Sequence, residues 1–529
     1  MTVPYRETAP AVSLTRRAFF RRGLALAAGS TLLAACAPAA PPAAPAKPAP
    51  TTAPAAAAKR GGTITVGVPS DVQTFDPFNL LFQHFPLVQN FYDTLIRYDQ
   101  SLKPLPGLAE SWTVAPDGQS VTLALRKGVK FHSGKALVAD DVVKNFEKAA
   151  DKDRGFNMLP AVANVDAITA PDASTVRIGF KKVSPEITDI LQALAIVDPS
   201  GMDELKTKAA GSGPFKFVEW SPGDRIVMER NADYWNAPAP HLDRVIYKIF
   251  GDSDAMVAAL QSGIIDVCTS FPPKDVARLS SSFEMVRGYA GALTYELRIN
   301  PTKPPFDKKE VRQAMHYAID RKSVVDNVLF GISEPTVLPY SRASAAHDPA
   351  VAAKYPFDLN RARELLGGAT GLRAEAIFNS QVPELQAMAQ ILKADLAKIG
   401  FELDLAPLDA TQASRRLLAG EFQITPSFSG NTQKYPTRIA LNSIYRTANN
   451  PVWGDTVPKA YVDAVNEANS TIDPARQKEA FGKLNQALLD ESWVVSVAYR
   501  QSVFGLARHV KGFAYTVDDM VVLENVSRE

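Results

Sequence analysis

The chain contains very little cysteine and no long apolar segment. Among its 529 residues only Cys36 and Cys268 are cysteines, so no internal disulfide can form once either is modified. The apolar run near the N-terminus covers residues 23–35. A membrane-spanning helix needs about 20 apolar residues, and no later segment reaches that length. The sequence therefore argues against a disulfide-stapled fold and against an integral membrane protein.

Motifs for catalysis and metal binding are also missing. The six histidines are residues 84, 132, 241, 316, 347 and 509, and no two of them stand three or four positions apart. There is no zinc-protease helix, Cys-x-x-Cys pair, calcium loop, phosphate-binding Gly-Lys-Ser/Thr loop or Gly-x-Ser-x-Gly elbow. Asp140 and Asp141 are adjacent, so on a helix they point in different directions. We predict that the protein is not an enzyme, has no metal site and needs no cofactor.

No excess of one charge sign marks the body of the chain. The whole sequence has 58 basic and 56 acidic residues, and five of the basic residues lie before position 37. The remainder offers no extended basic field of the kind that binds nucleic acid. We therefore expect no nucleic-acid partner.

The first 58 residues carry the features of export. Arg16 and Arg17 precede the short apolar run, a pattern typical of the Tat route, and the run ends in LLAAC at 32–36. This ending resembles a lipobox, which predicts a signal peptide over 1–36 and lipidation of Cys36; the alternative is a plain signal peptide with an unmodified cysteine. Residues 37–58 contain 12 Ala and 7 Pro, a composition that predicts an extended tether.

Alternating strands and helices are expected after the tether. Residues 63–68, 121–126 and 175–180 are predicted strands because apolar residues recur at every second position, and residues 225–230 and 244–249 are further predicted strands. Helices are predicted after Asp307, with Glu310 completing an acidic capping box, from Pro383 to Ile399, and after Asp473 with Pro474. This order favours α/β domains, and roughly 470 residues suffice for two or three of them.

A series of motifs resembles one known family along nearly all of this body. They are GGTITVG at 61–67, FDP at 75–77, LAESW at 108–112, DG at 117–118, LRKGVKFHSG at 125–134, DDV at 140–142, GPFKFVEW at 213–220, ERNADYW at 229–235, and the stretch from PFD at 305 to AIDR at 321. The chain resembles the peptide- and nickel-type solute-binding proteins of ABC importers, called family 5.

The resemblance implies an α/β fold of the type II periplasmic-binding-protein kind, with two lobes joined by a hinge. The first lobe would hold residues 59–290 and 501–529, with an inserted subdomain at about 99–210, and the second lobe residues 291–500. A small solute would be captured between the lobes and delivered to an ABC permease and its ATPase. The protein would be a monomer, anchored by lipid in the periplasm or at the outer face of the cell membrane.

Three stretches are candidates for contact with solute. They are expected where loops of the two lobes converge, the usual place for such a pocket, although each could equally be ordinary loop packing. The candidate residues are Phe82, Gln83 and His84; Cys268, Ser270 and Phe271; and Phe428, Lys434, Tyr435, Arg438 and Trp453.

One departure from the family pattern bears on the solute. Peptide-binding relatives usually carry an acidic residue in the stretch equivalent to 428–438, where it pairs with a peptide's ammonium group. This chain has neither Asp nor Glu there, and it has Lys434 and Arg438. The sequence therefore suggests an acidic or neutral polar solute, unless Lys434 points to solvent. A nickel chelate, to which His84 could contribute, a role as a solute sensor and a surface enzyme are the alternatives.

Overall fold

A seven-stranded mixed sheet, here called the first sheet, organises the first part of the chain. The computed structural model describes residues 60–529 except 80–85, 155, 157, 353, 370, 431–433 and 442, so the predicted signal peptide and tether, Cys36, Phe82, Gln83 and His84 lie outside the described residues. In spatial order the strands are Phe215–Ser221, Arg225–Arg230, Arg244–Ile249, Thr63–Val68, Val267–Cys268, Val503–Leu506 and Glu284–Arg287.

Two further sheets carry most of the remaining strands. The second sheet has the order Phe401–Leu408, Leu372–Asn379, Ile424–Gly430, Leu293–Ile299 and Val494–Arg500. A four-stranded antiparallel sheet has the order Ala109–Val114, Ser120–Leu125, Thr175–Phe180 and Val165–Asp172. We call residues 109–193, which contain this sheet, the small subdomain. Short two-stranded pairs join Asp93–Thr94 to Ala195–Ile196, Ile96–Tyr98 to Pro104–Pro106, Val510–Lys511 to Ser527–Arg528, and Ala514–Tyr515 to Val521–Val522.

Helices cover the sheets and bury their apolar faces. The α-helices of the described residues are Val88–Phe91, Ala139–Ala149, Leu159–Val162, Ile187–Ala193, Ser253–Gln261, Pro273–Leu279, Lys309–Ala318, Arg321–Asn327, Pro349–Ala352, Leu359–Leu365, Pro383–Ala397, Ala410–Leu418, Lys459–Asn469 and Pro474–Glu491. The 3₁₀ turns are Lys152–Arg154, Pro199–Gly201, Pro436–Leu441 and Ser443–Tyr445. No helix in the described part of the chain has the length and apolarity needed to cross a bilayer.

The predicted elements follow the structure closely, with one corrected helix start. The strands expected at 63–68, 175–180, 225–230 and 244–249 are present with those bounds, and the strand expected at 121–126 is Ser120–Leu125. Asp473 caps its helix by accepting from the Arg476 N–H. The capping box at Asp307 is wrong, because the helix begins at Lys309 and its N-cap residue Lys308 makes no side-chain cap bond.

The chain crosses between the two large sheets at two places. The first crossing, residues 288–292, joins the strand that ends at Arg287 to the strand that begins at Leu293. The second, residues 501–502, joins the strand that ends at Arg500 to the one that begins at Val503. The crossings lie side by side: the Gly288 N–H donates to the Ser502 carbonyl at 2.8 Å. The Gln501 amide donates to the Gly288 carbonyl at 2.7 Å. Two short adjacent connections of this kind are where a hinge between sheets would bend.

Candidate functional site

Two of the candidates at and after the short strand Val267–Cys268 are buried inside the protein. Cys268 is fully buried and Phe271 is 3 % exposed, and both belong to an apolar cluster with Met256, Leu260 and Leu279. Burial raises the pKa of the Cys268 thiol to about 12, so the thiol stays neutral. The Ser270 hydroxyl lies 3.1 Å from that of Ser253. The surroundings of Cys268 and Phe271 give no support to a solute contact, and their role in binding stays a prediction.

Phe428 forms part of an aromatic and cationic surface beside the second crossing. Its strand is the central strand of the second sheet and pairs with Leu293–Ile299, which sets Phe428 opposite Tyr295. Their rings meet edge to face at 6.4 Å. The Arg500 guanidinium lies 5.2 Å from the centre of the Phe428 ring. Among the described residues, no carboxylate lies within ion-pairing distance of Arg500, which leaves its guanidinium able to bind an acidic group.

A buried polar network fixes this surface from below. The Glu296 carboxylate, which is fully buried, accepts hydrogen bonds from Arg298, Ser429 and Tyr445, each at 2.7 Å. Arg298 in turn donates to the Phe428 carbonyl at 3.0 Å. Because every partner in this network is satisfied, the strand that carries Phe428 is held rigidly, as a preorganised binding surface requires.

Lys434 and Tyr435 contact the small subdomain through their backbones. The Asp189 carboxylate, from the helix Ile187–Ala193, accepts the Lys434 N–H at 3.0 Å and the Tyr435 N–H at 3.1 Å. It also accepts the Tyr98 hydroxyl at 2.7 Å. Asp189 is 1 % exposed, and burial raises the pKa of its carboxyl group. We call this set of hydrogen bonds the Asp189 clasp, because it joins the small subdomain to the region of the second sheet.

Arg438 lies one helical turn beyond the clasp, close to several carboxylates. Burial lowers the pKa of its guanidinium, whereas Asp189, Asp518 and Glu186 act in the opposite direction. Burial also raises the pKa of Glu186, which Arg438 partly offsets. Arg438 is therefore balanced by acidic groups of the protein.

Trp453 packs within the region of the second sheet. Its ring meets the buried Trp493 ring edge to face at 6.1 Å, and the Arg312 guanidinium lies 5.6 Å from the Trp453 ring. The indole Nε1 is buried and has no hydrogen-bond partner among the described residues. Trp453 and Tyr435 pack against the same core cluster, whereas Phe428 packs against a different one.

Asp519 connects the first crossing to the C-terminal segment. Its carboxylate accepts the Tyr289 N–H at 2.6 Å, and the Tyr289 hydroxyl donates to Ser341 at 3.0 Å. Burial and the charge of Asp518 raise the pKa of Asp519 to about 6, although Ser502, Tyr289 and Arg500 stabilise its ionised form. The carboxylate therefore titrates just below neutral pH while it contacts both crossings.

Asp519 should make the folded protein less stable as pH rises through 6. A carboxyl whose pKa is higher in the folded state favours folding while it is protonated, and this contribution is lost as pH passes the folded pKa. Asp519→Asn should match the wild type near pH 4 and exceed its unfolding free energy at pH 7.5 by on the order of 2 kcal/mol, a value reduced for partial exposure. Urea denaturation across pH 4–8 measures this. Asp166→Asn, at an exposed strand position, is the control; parallel curves for wild type and Asp519→Asn would contradict the prediction.

Sequence reasoning missed the residues that join the parts of this site. Arg500 is the last residue of the strand Val494–Arg500, Asp189 lies on a short helix, and Asp519 adopts a left-handed conformation with φ of 58° in the C-terminal segment. A charged residue at the end of a strand next to a crossing is a signal that could have identified Arg500. No local signal identifies Asp189, because its partners stand 245 and 246 positions away.

A polar cavity of about 790 Å³ lies beside Arg438, within the size range of ligand sites. We call it the lateral compartment; its walls come from the small subdomain and from the region of the second sheet. The lining residues are Gln119, Pro160, Ala161, Asn164, Lys181, Lys182, Val183, Glu186, Thr437, Arg438, Asn466, Asn469 and Ser470. Within the described residues, no three His, Cys, Asp or Glu side chains are grouped as metal ligands.

Comparison with known proteins gives one family and a consistent fold. The family described as bacterial extracellular solute-binding proteins, family 5 Middle, matches residues 103–451. The glutathione-binding protein GsiB of Escherichia coli O1:K1 is 26% identical over 531 residues, covering 94% of this chain and 96% of that protein. The GsiB protein of Salmonella choleraesuis is 29% identical over 376 residues, with 68% and 71% covered.

Solved structures agree with these sequence matches. The chain is similar to the binding protein AgaA of A. tumefaciens R10, solved in complex with agropinic acid, with a TM-score of 0.75, 25% identity, and 88% and 99% of the two chains covered. It also matches the substrate-binding protein CtaP of Listeria monocytogenes with a TM-score of 0.80 and 23% identity, covering 89% and 100%. These likenesses confirm the predicted fold class, an α/β fold of the periplasmic-binding-protein kind.

Proposed function

Because the chain belongs to family 5 of the bacterial extracellular solute-binding proteins, it is the solute-binding component of an ABC importer, and we propose that its solute is a small acidic organic molecule. The observation that carries the proposal is Arg500, whose guanidinium stacks on Phe428 without a described carboxylate partner. Guanidinium groups bind carboxylates through two parallel hydrogen bonds, so an acidic solute fits this position better than a cation does.

Two of the relatives support an acidic solute. GsiB is named for glutathione and AgaA was solved with agropinic acid, and both molecules carry carboxylate groups. The Asp189 carboxylate already accepts two backbone N–H groups and the Tyr98 hydroxyl. It is therefore not free to receive the ammonium group of an ordinary peptide. This supports the expectation that the protein lacks the carboxylate with which peptide-binding relatives bind that group.

Solute capture would act through closure of the two lobes. The lobes would comprise residues 59–290 with 501–529 and residues 291–500, with the inserted subdomain at about 99–210; the crossings at 288–292 and 501–502 support these boundaries. A solute that contacts both lobes binds the closed state more tightly and so increases its population. The solute would leave chemically unaltered, and the permease would bind the closed, monomeric protein.

The N-terminal segment supports attachment to the membrane. The Tat-like signal and the LLAAC ending at 32–36 favour export followed by lipidation of Cys36, with residues 37–58 as the tether. Fractionation of cells that produce Cys36→Ser tests this. The variant should leave the membrane fraction, and its retention there would contradict the anchor.

Calorimetric titration with a defined panel tests the solute class. The purified protein is titrated with glutathione, agropinic acid, citrate and dialanine. At least one acid should bind, and at 100 times its Kd it should raise the free energy of unfolding by about 2.7 kcal/mol, because it binds only the folded state. Dialanine should bind at least tenfold more weakly than the best acid. Dialanine binding as tight as that of every acid would contradict the proposal.

A further inference from the structure

The lateral compartment exists only while the small subdomain and the region of the second sheet are together. Eight of its lining residues, from Gln119 to Glu186, belong to the small subdomain, and five, from Thr437 to Ser470, belong to the other side. A molecule bound there would contact both sides. It would therefore favour the closed arrangement, as a solute in the cleft does.

Direct contacts between the same two sides lie at the borders of the compartment. One is the Asp189 clasp, a helical turn from Glu186 on one side and from Arg438 on the other. The other is at Gly118, next to the lining residue Gln119. A Cβ atom at Gly118 would lie 2.9 Å from the Ile472 side chain and 3.0 Å from that of Val183. These contacts hold the walls at a fixed separation, so the compartment has a defined shape.

The lining offers hydrogen-bonding groups that the protein leaves unused. The side-chain amides of Gln119, Asn466 and Asn469 make no hydrogen bond to any residue that the structure describes, and Thr437 adds a hydroxyl. Amides both donate and accept, which matches the behaviour of a ligand hydroxyl group. Pro160, Ala161 and Val183 are the apolar members of the lining.

Positive charge exceeds negative charge along the walls. Lys181, Lys182 and Arg438 line the compartment together with one acidic residue, Glu186. The Lys181 ammonium donates to the Ala163 carbonyl at 2.8 Å, and Lys182 has no ion-pair partner among the described residues. Lys182 is therefore the group best able to pair with an anion, and a carboxylate would form charge-assisted hydrogen bonds with it.

We propose that the lateral compartment is a second binding site, separate from Arg500, for an acidic polyhydroxylated molecule of about disaccharide size. Its volume suits a ligand of that size, its amides suit hydroxyl groups, and Lys182 suits the acid. The proposal goes beyond the solute site at Arg500 and Phe428 and does not depend on it, because neither of these two residues lines the compartment. Occupation of either site favours the closed state.

Titration with lactobionate, a disaccharide acid, tests this second site in the full-length protein. Lactose serves as the uncharged probe of similar size. Lactobionate should raise the melting temperature and bind about tenfold or more tightly than lactose, because only the acid pairs with Lys182. Lys182→Gln should remove that tenfold preference, and Asn466→Trp, which fills the compartment from the helix Lys459–Asn469, should abolish binding of both sugars.

Three controls separate this proposal from the proposed solute. Lys144→Gln changes an exposed lysine of the small subdomain that does not line the compartment, and Asp463→Trp places an indole one turn away on the same helix; both should bind lactobionate as the wild type does. Arg500→Gln should lose the acid of the solute panel but keep lactobionate. The second site would be overturned if the wild type did not bind lactobionate. It would also be overturned if Arg500→Gln lost lactobionate binding while Asn466→Trp kept it. Either result would leave the proposed solute class unaffected.

Discussion

Replacing Arg500 by glutamine should weaken the binding of the best acidic solute about 30-fold or more, since a hydrogen-bonded charged partner contributes about 2 kcal/mol. The guanidinium stacks on Phe428 and lies next to the second crossing, where both lobes meet. Glutamine retains one donor but lacks the charge and the forked geometry that match a carboxylate. Calorimetric titration of the variant with the acid that binds the wild type measures the loss.

Two further variants separate binding from folding in this experiment. Arg500→Lys keeps the charge without the fork, so its affinity should fall between those of wild type and Arg500→Gln. Arg342→Gln changes an arginine that is exposed and paired with Glu334, and it should bind like the wild type. If Arg500→Gln binds the acid as tightly as Arg342→Gln does, Arg500 is not the acid-binding group.

Alanine at Gly291 should destabilise the protein by about 3 kcal/mol or more, because overpacking and backbone strain both act there. Gly291 lies in the first crossing with a φ of 110°, which L-residues rarely adopt. A Cβ atom would also lie 2.5 Å from the Ser341 Cβ and 2.6 Å from the Ser341 Cα. Ser341 accepts a hydrogen bond from the Tyr289 hydroxyl, and the Tyr289 N–H donates to Asp519. A shift of Ser341 would therefore also disturb the hydrogen bond between Tyr289 and Asp519. Urea unfolding measures the change in stability.

Gly223→Ala is the matched control, because it introduces backbone strain without overpacking. Gly223 has a φ of 77°, and no atom lies within 4 Å of the position that an alanine Cβ would occupy, so alanine there should cost only about 1–2 kcal/mol of conformational strain. Equal destabilisation by the two substitutions would show that the close approach to Ser341 contributes nothing. In that case the first crossing would not depend on tight packing against residue 341.

Elements whose signal is local were predictable from the sequence. The strands 63–68 and 175–180 alternate apolar residues at every second position, and each lies at the predicted position. The helix predicted to begin at Pro383 does begin there, and it buries Leu385, Met388 and Leu392. In both cases the spacing of apolar residues along the sequence is enough to predict the element, so no knowledge of distant partners was needed.

Features that depend on distant partners were not predictable. The sequence indicated that the stretch 428–438 lacks a carboxylate, yet Asp189 reaches the Lys434 and Tyr435 backbones from the small subdomain. Asp307 resembles a helix cap, but the chain turns through Phe306 and Lys308 before the helix begins. The spacing of residues along the chain does not indicate which side chain, more than 200 positions away, will contact a given segment in the folded protein.

The central claim is that two lobes close on a solute that is not chemically changed. Small-angle X-ray scattering of the purified protein, with and without the best acid of the panel, tests this most directly when the recovered solute is analysed by mass spectrometry. We expect the radius of gyration to fall when solute is added and the solute to be recovered intact. The wild type should contract at a lower solute concentration than Arg500→Gln does. An unchanged scattering profile at saturating solute, or conversion of the solute to a product, would contradict it.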